Sequence, residues 1–402
     1  MELSDFFEPA GRGVQHASLR AANRRAVLTT IALGPGLSNA DVSRRTGLAP
    51  QTASAIVSEL EADGLVTRGE VLRGRRGQPA TPLFLDYSGA FAIGCEISWQ
   101  HVDITLISLG SEEIGRYRRA YAYPDAATIV AEAATAINEL IGKLAPAQRP
   151  RLAGLGLATP SAIWRSIGHL GAPAEQVPLW RALDLRAELE AATGLPTAWF
   201  NDGTCACWAE MVMAPPPRPP NFVYLFVTTF LGAGIAAEHT LWAGPTGNSA
   251  NLGSMLVNTG DDRRRFGHDV ASTSALSRRL AASGIDVPPG DPSDWPWADW
   301  EPHVAAWIAN AGAALAEIVF NTAAVIEVEA VVIDGIVPTP IVERMVAATD
   351  AALTSLPELS HNRLRIAAGK LGLRAPALGA AQLPLFRKHF SRELNDMLAE
   401  EA

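Results

Sequence analysis

Cysteine is scarce in this chain of 402 residues: only Cys95, Cys205 and Cys207 are present. Three thiols make no disulfide framework and suit a reducing compartment. Cys205 and Cys207 form C-x-C, which lacks the C-x-x-C spacing of common zinc and redox sites, so they read as two small residues on one buried helical turn. Uninterrupted long apolar runs are also missing. The longest candidate, "VAAWIANAGAALAEIVFNTAAVIEVEAVVIDG", is broken by Asn310, Glu317, Asn321, Glu327 and Glu329. It reads as a buried helix followed by a strand rather than a membrane span. "MELSDFFEPAGRG" is acidic and has no apolar core, so no secretory signal is expected. These absences predict a cytoplasmic protein with no membrane partner. The net charge of −9 excludes a protein that coats nucleic acid over its whole surface. The charge is uneven, however: residues 1–86 hold ten Arg against nine Asp or Glu, leaving about −10 for the rest. The length exceeds what one hydrophobic core usually organises, so two or three domains are expected.

The near-neutral head carries an ordered set of signals. "LRAANRRAVLTTIAL", residues 19–33, reads as a helix with Val27, Leu28 and Ile31 on its apolar face. Gly34, Pro35 and Gly36 stop it. Ser38 followed by Asp41 forms a capping box that starts a second helix. Gly47 supplies a helix end, and Pro50 stands where a third helix would begin. In that third helix Ala53, Ile56, Val57 and Leu60 share one face and Gly64 ends it. Gln51, Thr52, Ser54 and Ala55 lie toward the other face and the N-terminal end, where small polar side chains, here Gln51, Thr52 and Ser54, can reach base edges in a major groove. Two strands then flank a tip in which Gly74 and Gly77 hold Arg73, Arg75 and Arg76, a cationic finger suited to phosphates or a narrow minor groove. The set resembles a winged helix-turn-helix, which implies double-stranded operator DNA as a partner.

From Tyr87 onward strands and helices interleave, which argues an α/β architecture. "FNDGTCACWAE" raises a specific question: a carboxylate, Asp202, follows an apolar strand and opens a helix, a place suited to a general base, a ligand contact or a helix cap. "DWPWADWEPHVAAW" holds four tryptophans and reads as a Pro-broken loop whose indoles pack on the body. With the head, the segments "GLATPS", "FNDGTCACWAE", "TTFLGAGI", "GPTGNSANLGSM", "VVIDGIV" and "APALGAAQL" resemble, in order and spacing, the ROK family of bacterial sugar kinases and sugar-responsive repressors. The resemblance covers about residues 19 to 390. It implies a two-lobed, actin-like body with a ligand cleft between the lobes, and the fused head resembles the repressor branch.

Departures from the family pattern bear on chemistry. Its kinases open the body with an Asp-Gly-Gly-Thr-like turn for phosphate, whereas this chain has "GCEISWQ", with Glu96, Ser98 and Trp99. A second phosphate-type loop survives in part as Gly232-Ala233-Gly234, and a third glycine-rich turn has become Asp334-Gly335. The family's zinc ligands, a His in a Glu-x-Gly-His loop and a C-x-C-G-x-x-G-C segment, are replaced by Asn251, Ser254 and "GDDRRRFGHDVAST", where His268 reads as a lone surface histidine. No structural metal and no cofactor are therefore expected. In the kinases the residue matching Asp202 takes a proton from the sugar; without a phosphate donor its remaining role is hydrogen bonding to a polyol, or capping the next helix.

The sequence thus predicts an N-terminal winged helix-turn-helix (residues 1–86) on a two-lobed α/β, sugar-kinase-like body. Lobe 1 spans 87–198 with a C-terminal helix, 380–402, returning to it, and lobe 2 spans 199–379. The expected function is transcriptional repression by a homodimer or higher homo-oligomer, with no enzymatic activity. The expected effector is a sugar or sugar derivative held by Asn201, Asp202 and Asn251. The alternatives are a sugar kinase with a regulatory head and an effector-independent regulator acting through a protein partner.

Overall fold

A computed structural model describes residues 16–70, 81–215, 218–242, 244, 246–258, 263–288, 292–357 and 364–390. Among these the chain divides into two compact units, one of residues up to 90 together with 386–390, the other of residues 91–385.

The first unit contains helices α1 (His16–Leu33), α2 (Asn39–Thr46) and α3 (Pro50–Ala62), then strands β1 (Val66–Arg68) and β2 (Leu83–Leu85). The two strands pair antiparallel. The expected caps are present. Ser38 Oγ accepts from the Asp41 N–H at 3.2 Å, and Asp41 Oδ2 accepts from the Ser38 N–H at 2.9 Å. Gly47 takes the left-handed conformation (φ 66°) that lets α2 stop within three residues of α3. Val27, Leu28, Ile31, Val42, Ala53, Val57, Leu60 and Leu83 fill the core. The helical spacing of the α3 apolar residues thus decides which of its faces remains outside.

The second unit holds two five-stranded sheets built to one plan. The first contains β3 (Phe91–Ile97), β4 (His101–Ser108), β5 (Glu113–Ala120), β6 (Leu152–Thr159) and β7 (Thr197–Asn201), in the order β5-β4-β3-β6-β7. Its helices are α4 (Ile129–Gly142), α5 (Gln176–Ala182), α6 (Leu185–Thr193) and α7 (Asp202–Met213). The second contains β8 (Phe222–Val227), β9 (Leu231–Ala237), β10 (Thr240–Leu241) and, later in the chain, β13 and β14. A separate antiparallel pair, β11 (Leu256–Asn258) and β12 (Arg264–Phe266), comes between them, followed by α8 (Thr273–Ala281) and α9 (Glu301–Ala323). Then come β13 (Ala330–Gly335), α10 (Thr339–Leu353), β14 (Arg365–Ala368) and α11 (Ala375–His389). The second order, β10-β9-β8-β13-β14, repeats the first strand for strand. In each sheet a hairpin joins the first two strands, and the first strand runs parallel to the last two. Parallel strands need crossovers, and the helices supply them.

The apolar α9 is long enough to cross a membrane by composition, but Val304, Trp307, Ala311, Leu315 and Ile318 bury it in the core of the second sheet's lobe. Trp295, Trp297, Trp300 and Trp307 join that core, with ring centroids 5.6–6.0 Å apart. They form a packed cluster rather than an exposed stacking platform.

Two helices approach their neighbours at backbone distance. A Cβ on Gly203 of α7 would lie 2.5 Å from the Ala233 nitrogen of β9, and one on Gly379 of α11 would lie 1.9 Å from the Cys205 carbonyl oxygen. Cys205 and Cys207 are fully buried in this packing, and burial raises both thiol pKa values, leaving them unreactive. Gly379→Ala is expected to force α7 and α11 apart and cost about 1–3 kcal/mol in denaturant unfolding. Gly142→Ala, with open space around it, is the control and should cost nothing. Equal stability of the two variants would contradict the backbone-contact account.

Candidate functional site

The head offers one polar helix face. Gln51, Thr52 and Ala55 of α3 are exposed, Ser54 is half-buried, and Ser58, which the sequence reading did not single out, is exposed. Residues 50–58 carry no side-chain charge. Acidic residues begin at Glu59, and three of them are engaged by cations: Glu59 by Arg20 and Arg24, Asp63 by Arg24, Glu61 by Arg68. This neutralises the end of α3 away from its exposed polar face. Arg44 and Arg45, exposed at the end of α2, are further cations beside α3, and Arg44 pairs with Asp41. Arg73, Arg75 and Arg76 lie outside the described residues.

In the body, β3, β6 and β7 run parallel, so their carboxyl ends share one edge. Glu96 is registered beside Ala158, and Thr159 beside Asn201. The polar groups at this edge are almost wholly buried. Glu96 is 1% exposed, Asp202 4% and Asn201 8%. Glu96 Oε2 lies 3.2 Å from His101 Nε2, itself buried. The Asn201 amide donates to Ser161 Oγ at 3.3 Å, and Trp199 Nε1 donates to Thr159 Oγ1 at 2.6 Å.

The cap of α7 is Asn201, not Asp202: the Asn201 side chain accepts from the Gly203 N–H at 3.0 Å. Asp202 is the first helical residue and accepts from the same N–H at 2.8 Å. Its carboxyl pKa is pushed up to about 7, first by burial and then by the nearby Glu96 charge; the Gly203 N–H and His101 act in the opposite direction. At the other end of α7, Glu210 is also raised to about 7 by burial and by Asp334. Asp334 and Gly335 end β13 instead of forming a loop. Asp334 accepts from the Tyr224 hydroxyl at 3.0 Å and from the N–H groups of Gly335 and Gly372 at 2.8 and 2.9 Å.

Gly232-Ala233-Gly234 is not a phosphate loop either. It lies inside β9, where a Cβ on Gly234 would stand 2.2 Å from Cys207 Cβ, so Gly234 serves the close approach of α7. The turn between β8 and β9 is instead Thr228–Phe230. Asn251 is exposed, and its loop is tied to the α7 start by Asn201 N–H donating to the Gly247 carbonyl (3.0 Å) and Ser249 N–H donating to Thr204 Oγ1 (2.9 Å). The Asn251 side chain makes no hydrogen bond to Asn201 or Asp202 among the described residues.

His268 is not a lone surface residue. The Leu231 N–H donates to its Nδ1 at 3.1 Å, which places the ring proton on Nε2, facing Ser254 Oγ at 3.2 Å. Burial lowers its pKa, because an imidazolium here would be desolvated and would lose the Leu231 bond. Ser254 and His268 come from the two segments that hold zinc in the family pattern, so a hydrogen-bonded clip joins them instead.

That donor set does not fit zinc. The clip offers a hydroxyl and an imidazole whose free lone pair is already used, while all three cysteines are buried elsewhere. Among the described residues no three of His, Cys, Asp and Glu converge as a metal site. Purified protein is therefore expected to carry less than about one equivalent of zinc after chelator washing. A stoichiometric, chelator-resistant metal by elemental analysis would overturn this.

Comparison with known proteins agrees with this architecture. The model of the ROK family matches residues 92–386, and that of winged helix-turn-helix DNA-binding matches residues 20–67. The chain is 24% identical over 374 residues to the uncharacterised protein y4fQ of Sinorhizobium fredii, covering 92% of each. It is 22% identical over 244 residues to the xylose repressor of Bacillus subtilis, covering 60% of this chain and 61% of the repressor. A crystal structure described as a ROK family transcriptional regulator, homolog of the E. coli MLC protein, superimposes with a TM-score of 0.69 at 19% identity. It covers 94% of this chain and 99% of that one, a likeness of fold. With its body matched over nearly all of 92–386 and a winged helix-turn-helix ahead of it, the chain belongs to the ROK family.

Proposed function

We propose that this protein is a DNA-binding transcriptional repressor, working in the cytoplasm as a homodimer or higher homo-oligomer, whose hold on its operator is set by a sugar or sugar derivative in the body's cleft. One observation carries the reading. The uncharged, exposed polar face of α3, a helix that follows the capped α2, shares a chain with a ROK body in which Glu96 near the end of β3, Trp99 and Phe230 stand where a nucleotide phosphate would need open backbone N–H groups. A buried carboxylate and two aromatic rings do not fit a triphosphate, so no phosphoryl transfer is assigned and no cofactor is required. The xylose repressor similarity supports a sugar as the effector class. ATP-dependent sugar phosphorylation by the wild-type chain would instead favour the kinase alternative.

In the head, Gln51 is suited to an adenine edge, and the methyl groups of Thr52 and Ala55 to thymine. Ser54 contributes from the side of the helix, and Arg73, Arg75 and Arg76 hold phosphates. Gln51→Ala is expected to relax preference at one base pair and cost about 1–3 kcal/mol on the selected sequence. The Arg75→Ala, Arg76→Ala double variant should weaken binding on all sequences and flatten the salt dependence by about one unit of slope per lost contact. Binding to DNA selected from a random pool, titrated at several salt concentrations, checks both. An unchanged slope removes the wing from the interface.

In the body, Asn201 and Asp202 are the effector's hydrogen-bonding partners, with Asn251 on the loop beside them. Asp202→Asn keeps the shape but removes the charge, and is expected to weaken effector binding about ten- to a hundredfold. The same variant has a signature in stability. A carboxyl whose folded pKa is raised from 3.8 to about 7 binds more protons folded than unfolded between those values. Its contribution is therefore fully present at low pH and declines as pH rises through that window. Asp202→Asn lacks this decline. Its stability relative to wild type should rise by up to about 1.4 kcal/mol per pH unit from pH 4 to 7, then level off. Parallel wild-type and variant curves in denaturant unfolding would contradict the buried, raised carboxyl.

A further inference from the structure

The two lobes of the body are bridged by a pair of turns, each fixed within its own lobe. The first joins β3 to β4. The Ser98 N–H donates to the His101 carbonyl at 2.9 Å, and the Tyr121 hydroxyl reaches the carbonyls of Ser98 and His101 at 2.8 and 2.6 Å. The second joins β8 to β9. The Thr228 N–H donates to the Phe230 carbonyl at 2.9 Å, and the Thr273 N–H at the start of α8 donates to the Thr228 carbonyl at 2.9 Å. Leu231 is held by His268 at 3.1 Å. Neither turn can shift without disturbing its lobe.

Across the cleft the turns meet twice. Trp99 and Phe230 pack edge to face with ring centroids 4.8 Å apart, and Thr229 Oγ1 donates to Gln100 Oε1 at 3.2 Å. Phe230 belongs by chain to the second lobe, yet its side chain packs on the core of the first. His268 lies edge-on to its ring at 5.9 Å from the second lobe, and His169 at 6.4 Å from the first. Trp99 is 6% exposed and Thr229 2%.

In the same state Asn201 and Asp202 are nearly inaccessible. Side chains this deeply covered cannot exchange hydrogen bonds with a ligand until their cover is withdrawn. We infer that Phe230, seated on Trp99, is a built-in latch that holds the two lobes together, and that the effector enters the Asn201–Asp202 site only when this latch opens. The second half of this inference rests on the effector reading above; the first half rests on the two turns alone. Closure is then a property of side chains in this chain.

The full-length protein tests this directly. In Phe230→Ala, amide exchange in residues 98–101 and 228–231 is expected to speed up about tenfold, the ratio one aromatic pair of this kind is worth, with head amides unchanged. A Gln100→Cys, Thr229→Cys pair should close to one intramolecular disulfide under mild oxidation, since the native cysteines are buried, and adding Phe230→Ala should slow closure about tenfold. Phe230→Leu keeps the apolar volume without the ring edge and is read instead if the alanine variant does not fold. Unchanged exchange and unchanged closure in either variant overturn the latch. The regulatory half is read separately, as affinity for DNA selected by the wild type, comparing the cross-linked protein with its reduced form. A latch that forms but leaves DNA affinity and its effector response the same when locked would overturn the gating role while the lobe contact stands.

Discussion

Backbone-to-backbone packing around α7 is the constraint on which the body depends. Gly203 and Gly234 let the helix lie on β9, and Gly379 lets α11 cross it at the Cys205 carbonyl. Any side chain at these points would separate the elements by more than the core could refill, because protein interiors tolerate little change in volume. This packing seals Asp202 at one end of the helix and Glu210 toward the other. Their raised pKa values are consequences of that burial, so the electrostatics of the cleft follow from a steric fact about glycines.

The same burial gives the cleft its chemistry. Asp202 lies close enough to Glu96 for the two charges to oppose each other, and His101 stands within 3.2 Å of Glu96. A carboxyl titrating near neutrality can both give and accept hydrogen bonds, which is the property the proposed hydroxyl-rich effector would use. Beside it, Trp99 and Phe230 close two turns with apolar rings in edge-to-face contact.

The region around His268 illustrates how a cross-link can be replaced. A closed zinc site joins two loops through strong directional bonds. Here an imidazole accepts from the Leu231 N–H and faces a serine hydroxyl, joining the start of β9 to the turn that carries Ser254. The clip is weaker than a metal centre. Its geometry nonetheless fixes one tautomer, and so one orientation, of the ring that packs against Phe230.

By itself the sequence determined the winged helix-turn-helix, its capping box, the glycine that ends α2 and the apolar face of α3. Local spacing and turn chemistry decide such features within a few residues. It also determined membership of the family and the α/β alternation of the body, because ordered motifs and periodicity survive at low identity. Tertiary structure alone decided the rest. Asn201 took the cap that Asp202 could equally have filled, since the choice depends on where the strand ends and the helix axis begins. Gly232 and Gly234 looked like a phosphate loop, yet they are strand residues, and what requires Gly234 is Cys207 on a helix that comes earlier in the chain. His268 looked solitary because its partners, Leu231 and Ser254, are distant in sequence and adjacent only after folding. Phe230 gave no local signal at all, for its meaning lies in Trp99, which is distant in sequence and is brought to a ring-centroid distance of 4.8 Å only by folding.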